Sequence, residues 1–209
     1  MVRLTISLAS VAPAVFDVPM PIEVRPAVVF EDVATMVGPK RPGADVCWCL
    51  SYRLPSKEHL ALHGTARGER VRELLAQDPP PGVLAYDGED VVGWAGVHPR
   101  ADTSFARNRR IPQVDDLDVW SVWCLRVRPG HRGRGIVHPL LAGAVDLARS
   151  YGAPAVEGYP VDNAGAKVDL TMAFVGTRHV FERAGFTKTA DTTSVLAGFP
   201  RVLMRLDLR

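Results

Sequence analysis

Cysteine is scarce in this sequence: the 209 residues hold three, Cys47, Cys49 and Cys124. An odd, small number in a chain long enough to bury its own core excludes a disulfide framework. It points to reduced thiols in a cytoplasm-like compartment. Cys47 and Cys49 form a C-x-C pair, which is not by itself a zinc site, and no metal is expected. Long apolar runs are missing as well, and nothing approaches the roughly 20 residues of a membrane-spanning helix. Charge of one sign is also lacking: 25 Lys and Arg stand against 23 Asp and Glu, a formal net charge of +2. That balance argues against a polycation that coats nucleic acid. Internal repeats and low-complexity segments are absent.

What is present is ordinary for a globular domain, with 47% hydrophobic and 23% charged residues. The first residues, "MVRLTISLASVAPAVFDVPMP", weakly imitate a secretion signal. Thr5, Ser7, Ser10 and Pro13 interrupt the apolar run and the cationic region is one residue, so residues 1–21 read as an N-terminal extension and 22–209 as one domain. A short strand is expected over 22–27, followed by a helix that opens near Glu31 and Asp32. Residues 46–54 read as strand-like or irregular. Val71, Leu74 and Leu75 form one helical stripe over 66–77, stopped by "DPPPG". Two apolar runs flank Asp87-Gly88, a hairpin signal. Residues 101–118 have no period and read as a loop. Residues 119–127, apolar on both faces, suit a buried central strand. A helix is expected over 135–151, a strand over 154–161, a helix over 173–184, and closing strands at 186–190 and 201–208. The order describes a mixed α/β sheet with a βαβ unit at its centre.

The most informative stretch is "VWCLRVRPGHRGRGIVHPLL", residues 122–141. A strand ends at Pro129, a Gly-Arg loop follows, and a helix begins. The first N–H groups of a helix have no intrahelical partner and carry the positive end of its dipole. Gly130, Gly133 and Gly135 let a ligand approach the backbone, and Arg132 and Arg134 add charge that can fork onto phosphate oxygens. The arrangement suits a pyrophosphate. A Walker A loop is excluded because no Lys-Ser or Lys-Thr follows. The dinucleotide fingerprint fails because position 138 is His.

The same residues resemble the coenzyme-A-binding motif of the GNAT superfamily of acyl-CoA-dependent N-acetyltransferases, [QR]-x-x-G-x-[GA] after a strand ending L-x-V-x-P. Arg132, Gly133, Arg134, Gly135, Ile136 and Val137 occupy the motif, with Val137 where the family has Gly or Ala. "VFERAGF", residues 180–186, resembles the family's Y-E-K-x-G-F segment. The resemblance covers residues 22–208 in element order and is specific over 119–186. It implies a GNAT-like fold, a central mostly antiparallel sheet whose βαβ strands splay to hold coenzyme A. Acetyl-CoA is the implied co-substrate, with no metal. The pantetheine is expected against Leu125, Arg126 and Val127, and the diphosphate on the N–H groups of 132–137. An amine, of a small molecule or a protein lysine, attacks the thioester directly. A strand N–H near Leu125 stabilises the oxyanion. The family's thiolate-protonating Tyr is replaced by Phe181, and the Asn that often precedes its helix is replaced by Phe174.

Asp118 and then Asp116 are the candidate general bases by position before the motif strand, and an acidic rim including Asp115 would favour a cationic amine. Trp48 and Trp120 are candidate acceptor-lining residues. Glu157 and Tyr159 share a strand face and either reach the splayed gap or are buried with ordinary hydrogen bonds. Cys124 reads as a buried, inert thiol. The alternative function is a non-catalytic acyl-CoA-binding module of the same fold, kept open by Phe181. Binding of nucleic acid through "RVRPGHRGRG" is disfavoured by the low net charge and the lack of interleaved aromatics. A monomer or homodimer without a membrane partner is expected.

Overall fold

In a computed structural model, residues 21–41, 43–169 and 173–209 are described. The expected N-terminal extension therefore lies outside the described residues up to Met20. One sheet of seven strands organises the rest: β1 (Glu23–Pro26), β2 (Gly82–Asp87), β3 (Asp90–Pro99), β4 (Trp120–Val127), β5 (Ala155–Gly158), β6 (Thr187–Leu196) and β7 (Phe199–Asp207). Their order is β1-β2-β3-β4-β5-β7-β6. Only β4 and β5 run parallel; the other pairs are antiparallel. A parallel pair needs a crossover, and here that is the helix α4 (Val137–Ser150).

Two cores sandwich the sheet. Against one face, α4 buries Leu140, Leu141, Ala144 and Ala148, and the short helix α5 (Arg178–Arg183) buries Phe181. Against the other pack α1 (Phe30–Val37) and α3 (Thr65–Leu75), with Trp48, Leu50, Leu54, Trp123 and Tyr159. The α4 pattern delivers its stripe as the i, i+3, i+4 spacing requires. Gly152, at φ +74°, then ends the helix, and the N–H of Ala153 returns to the carbonyl of Ala148.

Three expectations are decided or corrected. Of the two readings of residues 46–54, strand-like or irregular, the irregular one holds: they form turns, because Trp48 and Cys49 adopt φ of 51° and 56°, incompatible with a strand. A helix α2 (Ser56–Ala61) follows them. The expected helix over 173–184 is helical only in α5. Gly176 sits at φ +83°, and the carbonyls of Phe174 and Gly176 are taken by the N–H groups of Leu125 and Val161, so they cannot close helical turns. Third, β6 is far longer than residues 186–190. It is the sheet's edge, mostly exposed, and needs no apolar alternation to pair with β7.

Candidate active site

β4 and β5 pair over a short span, Trp120 with Val156, Ser121 with Glu157 and Val122 with Gly158, and then separate. On the other edge of β4 the register with β3 shifts between Gly96 and Val97, a bulge that turns the strand. The separation is held by a ring. A Cβ on Gly158 would lie 2.1 Å from Cε1 of Phe181, so glycine is required for that fully buried ring to reach β5. The ring meets Phe186 edge-on, centroids 5.0 Å apart. Phe181 is thus a wedge at the point where the strands part.

From there a cleft of about 300 Å³ opens. It is lined by Leu125, Arg126 and Val127, by the Gly-Arg loop and by Phe174, Gly176 and Val180. The loop turns through left-handed glycines at 130, 133 and 135, with φ of 91°, 78° and 74°, and nothing lies within 4 Å of where their Cβ atoms would be. Among the described residues, the N–H groups of 132–137 donate no hydrogen bond within the protein, whereas those of His131 and His138 do. This run of open donors stands at the mouth of α4. The fit to a diphosphate is therefore carried by the backbone. Arg134 is braced toward Asp87 of the β2–β3 hairpin at 2.8 Å, and Arg132 Nε donates to the carbonyl of Val127 at 3.3 Å.

The structure thus brings together Leu125, Arg126, Val127, Arg132, Gly133, Gly135, Ile136 and Val137 around one cleft, with Arg134 on the same loop. The expected oxyanion donor is engaged: the Leu125 N–H donates to the Phe174 carbonyl at 2.6 Å. Phe174 occupies a place no local signal marks, since it follows from the broken helix.

The acidic trio is not brought to this cleft. Asp116 and Asp118 are exposed before the start of β4. Seven residues of extended chain separate Asp118 from Leu125, about 23 Å at a strand's rise. Asp115 is paired at 2.8 Å with Arg205. Neither tryptophan lines the cleft. Trp48 stacks on Phe30, centroids 5.7 Å apart, in the core beneath α1 and α3. Trp120, at the far end of β4, packs beside Tyr151 in the α4 core. Glu157 and Tyr159 are buried and satisfied: the Tyr159 hydroxyl donates to Glu157 at 2.7 Å and lies 3.1 Å from both Ser121 Oγ and Arg100 Nε. Burial raises the Glu157 pKa, although Tyr159, Arg100 and Arg205 oppose the shift. Cys124 is buried with its Sγ 2.9 Å from that of Cys49, whose thiol burial pushes up. No cluster that could hold a metal occurs among the described residues, and none of their helices is long and apolar enough to cross a membrane.

These features, a splayed parallel pair and an open-backbone turn feeding the crossover helix, define an acyltransferase fold. The sequence profile of the acetyltransferase (GNAT) family matches residues 51–186, and the chain belongs to that family. No curated protein matches the sequence. Solved structures share the fold. A GNAT-family acetyltransferase of Desulfovibrio desulfuricans is 19% identical, over 90% of this chain and 100% of that one, with a TM-score of 0.53. A chain of the NatC complex bound to Gag peptide and CoA is 17% identical, over 91% and 100%, with a TM-score of 0.52. A mosquito arylalkylamine N-acetyltransferase-like protein is 14% identical, over 90% and 100%, with a TM-score of 0.54.

Proposed function

We propose that the protein moves an acetyl group from acetyl-CoA to an amine by direct attack within a ternary complex. The observation that carries this reading is the run of undonated N–H groups over 132–137, set at the mouth of α4 beside the splayed strands. These groups would hold the diphosphate without the Val137 side chain mattering, and Arg132 would add charge. The edge of β4 at Leu125, Arg126 and Val127, which has no neighbouring strand on the β5 side, would pair with the amide-bearing arm. The Leu125 N–H, once released from the Phe174 carbonyl, would face the oxygen on which charge develops. Phe181 has no proton to give, so the departing thiolate would be protonated by solvent. Catalysis here is chiefly orientation of two bound reactants.

The second reading, a non-catalytic acyl-CoA-binding module, is favoured by the same two features, Phe181 and the engaged Leu125 N–H. Initial-rate measurements of thiol release from acetyl-CoA, with the amine varied at several acetyl-CoA concentrations, decide between them. Intersecting lines support direct transfer. Parallel lines would point to an acyl-enzyme instead, and absence of thiol release above background with every amine would favour the binding module.

A further inference from the structure

On the sheet face away from α4, a second cavity of about 670 Å³ opens between the turns after Cys49, α2, α3 and the short 3-10 turns that follow β3. Tyr52 forms its inner wall. The Tyr52 ring stacks on Phe105 at 4.7 Å and lies 6.1 Å from the ring of Phe174, which lines the cleft beside Leu125. One pair of rings therefore separates this cavity from the place where the thioester would lie.

Three arginines in or behind it, Arg53, Arg107 and Arg201, make no contact ion pair among the described residues. Arg70 is committed to Glu58 and Glu73, each at 2.9 Å, and the Asp102 carboxylate lies 3.2 Å from His98 Nδ1. Among the described residues, Arg53 hydrogen-bonds only to the carbonyl of Asp102, at 3.0 Å. Its Nε is buried without an acceptor, and it makes no ion pair among the described residues. Arg107, exposed on the rim, makes none either. Behind Tyr52, Arg201 is 2% exposed and again has no carboxylate partner. Its Nε donates to the Tyr159 carbonyl at 2.7 Å and its Nη1 to the Tyr52 hydroxyl at 3.2 Å, while Nη2 has no acceptor. Cations drawn from water are normally in contact pairs, and among the described residues no carboxylate contacts Arg53 or Arg201; Asp102 and Glu58 act on Arg53 only at longer range.

We propose that this cavity admits the acceptor, and that the acceptor carries an oxyanion, a carboxylate or a phosphate, set apart from its amine and held by Arg53. The inference rests on the acetyltransferase reading above and adds the substrate class. Arg53 would take the oxyanion through its outer nitrogens, Arg107 would attract it from the rim, and the amine would pass Tyr52 and Phe174 toward Leu125. This reverses the cationic preference expected from an acidic rim, because Asp115 is bound to Arg205 and lines neither cavity.

The test is calorimetric titration of the full-length protein, without acetyl-CoA, with 6-aminohexanoate, 6-aminohexyl phosphate and the neutral 6-aminohexanol. Acetyl-CoA is titrated in parallel. At least one acid should bind tenfold or more tighter than the alcohol, in line with a charge-assisted bond. Arg53→Gln should remove that preference and Arg53→Lys should keep part of it, both with unchanged melting temperature and acetyl-CoA affinity. Whichever acid binds tighter identifies the group. Equal affinities, no binding of either acid to wild-type protein, or an acid preference untouched by Arg53→Gln would each overturn the proposal. Failure of acetyl-CoA alone to bind would instead remove the catalytic reading, and the acid preference would be judged on its own titration.

Discussion

Replacing Gly158 by Ala tests whether the Phe181 ring is what holds the cleft open. The new Cβ would stand 2.1 Å from Cε1 and 2.6 Å from Cζ of Phe181, against the 3.5–4.0 Å or so of an ordinary carbon contact. The ring would have to retreat by about 1.5 Å. It is fully buried, backed by Phe186, and its other edge would be 3.0 Å from a Cβ on Gly176, so no free space receives it. Overpacking of this kind costs about 3 kcal/mol, the upper end of the usual range. At about 2–4 °C per kcal/mol for a chain of this size, the melting temperature falls by about 6–12 °C. Phe181→Leu alone leaves a partial cavity and costs about 1.5 kcal/mol. The double variant should cost little more than Phe181→Leu, because the smaller side chain makes room for the methyl group. Urea denaturation of the four proteins gives the coupling energy, expected to be at least about 2 kcal/mol. Additive losses, or Gly158→Ala within about 0.5 kcal/mol of wild type, would refute the wedge.

Other outcomes follow from the same contacts. Glu157→Leu removes a buried carboxylate that lies 3.6 Å from Arg100 and from Arg205; it should cost about 3 kcal/mol in urea denaturation by leaving Arg100 without its carboxylate. Burial holds the His98 pKa below 6.5, with Arg53 adding to the effect. The unfolded chain therefore binds more protons below pH 6.5, and stability should fall as pH drops from there to the folded-state value, then level off. His98→Gln should lose that slope. Titration of the native protein with a thiol reagent should modify exposed Cys47 quickly, and Cys49 and Cys124 only on unfolding, because both are buried.

Much of this architecture was legible in local pattern. The β4 run, the Gly-Arg turn and the α4 stripe sit where period and backbone chemistry put them, because all three are consecutive in sequence. What was not legible depends on distant partners. Residues 173–177 carry apolar spacing that suits a helix, yet the carbonyls of Phe174 and Gly176 go to Leu125 on β4 and to Val161 beyond β5, partners outside the segment itself. Asp118 looked near the motif in sequence, but a strand's rise carries it away from Leu125. Trp48 looked available and is consumed by the core under α1, reached through a left-handed turn that no residue type announced. Arg53 gave no signal at all: an isolated arginine in an aperiodic stretch becomes notable only when its one acceptor among the described residues is the carbonyl of Asp102.

The measurement that tests the central claim most directly is calorimetric titration of acetyl-CoA into the wild-type protein and into an Arg132→Glu, Gly135→Glu variant. The account predicts micromolar binding to the wild type. It predicts a loss of about a hundredfold or more in the variant, where carboxylates and side chains stand at the open N–H groups of 132–137, with a melting temperature lowered only by the few degrees that a side chain at left-handed Gly135 costs. Absence of binding to folded wild-type protein, or equal binding to both, would contradict it.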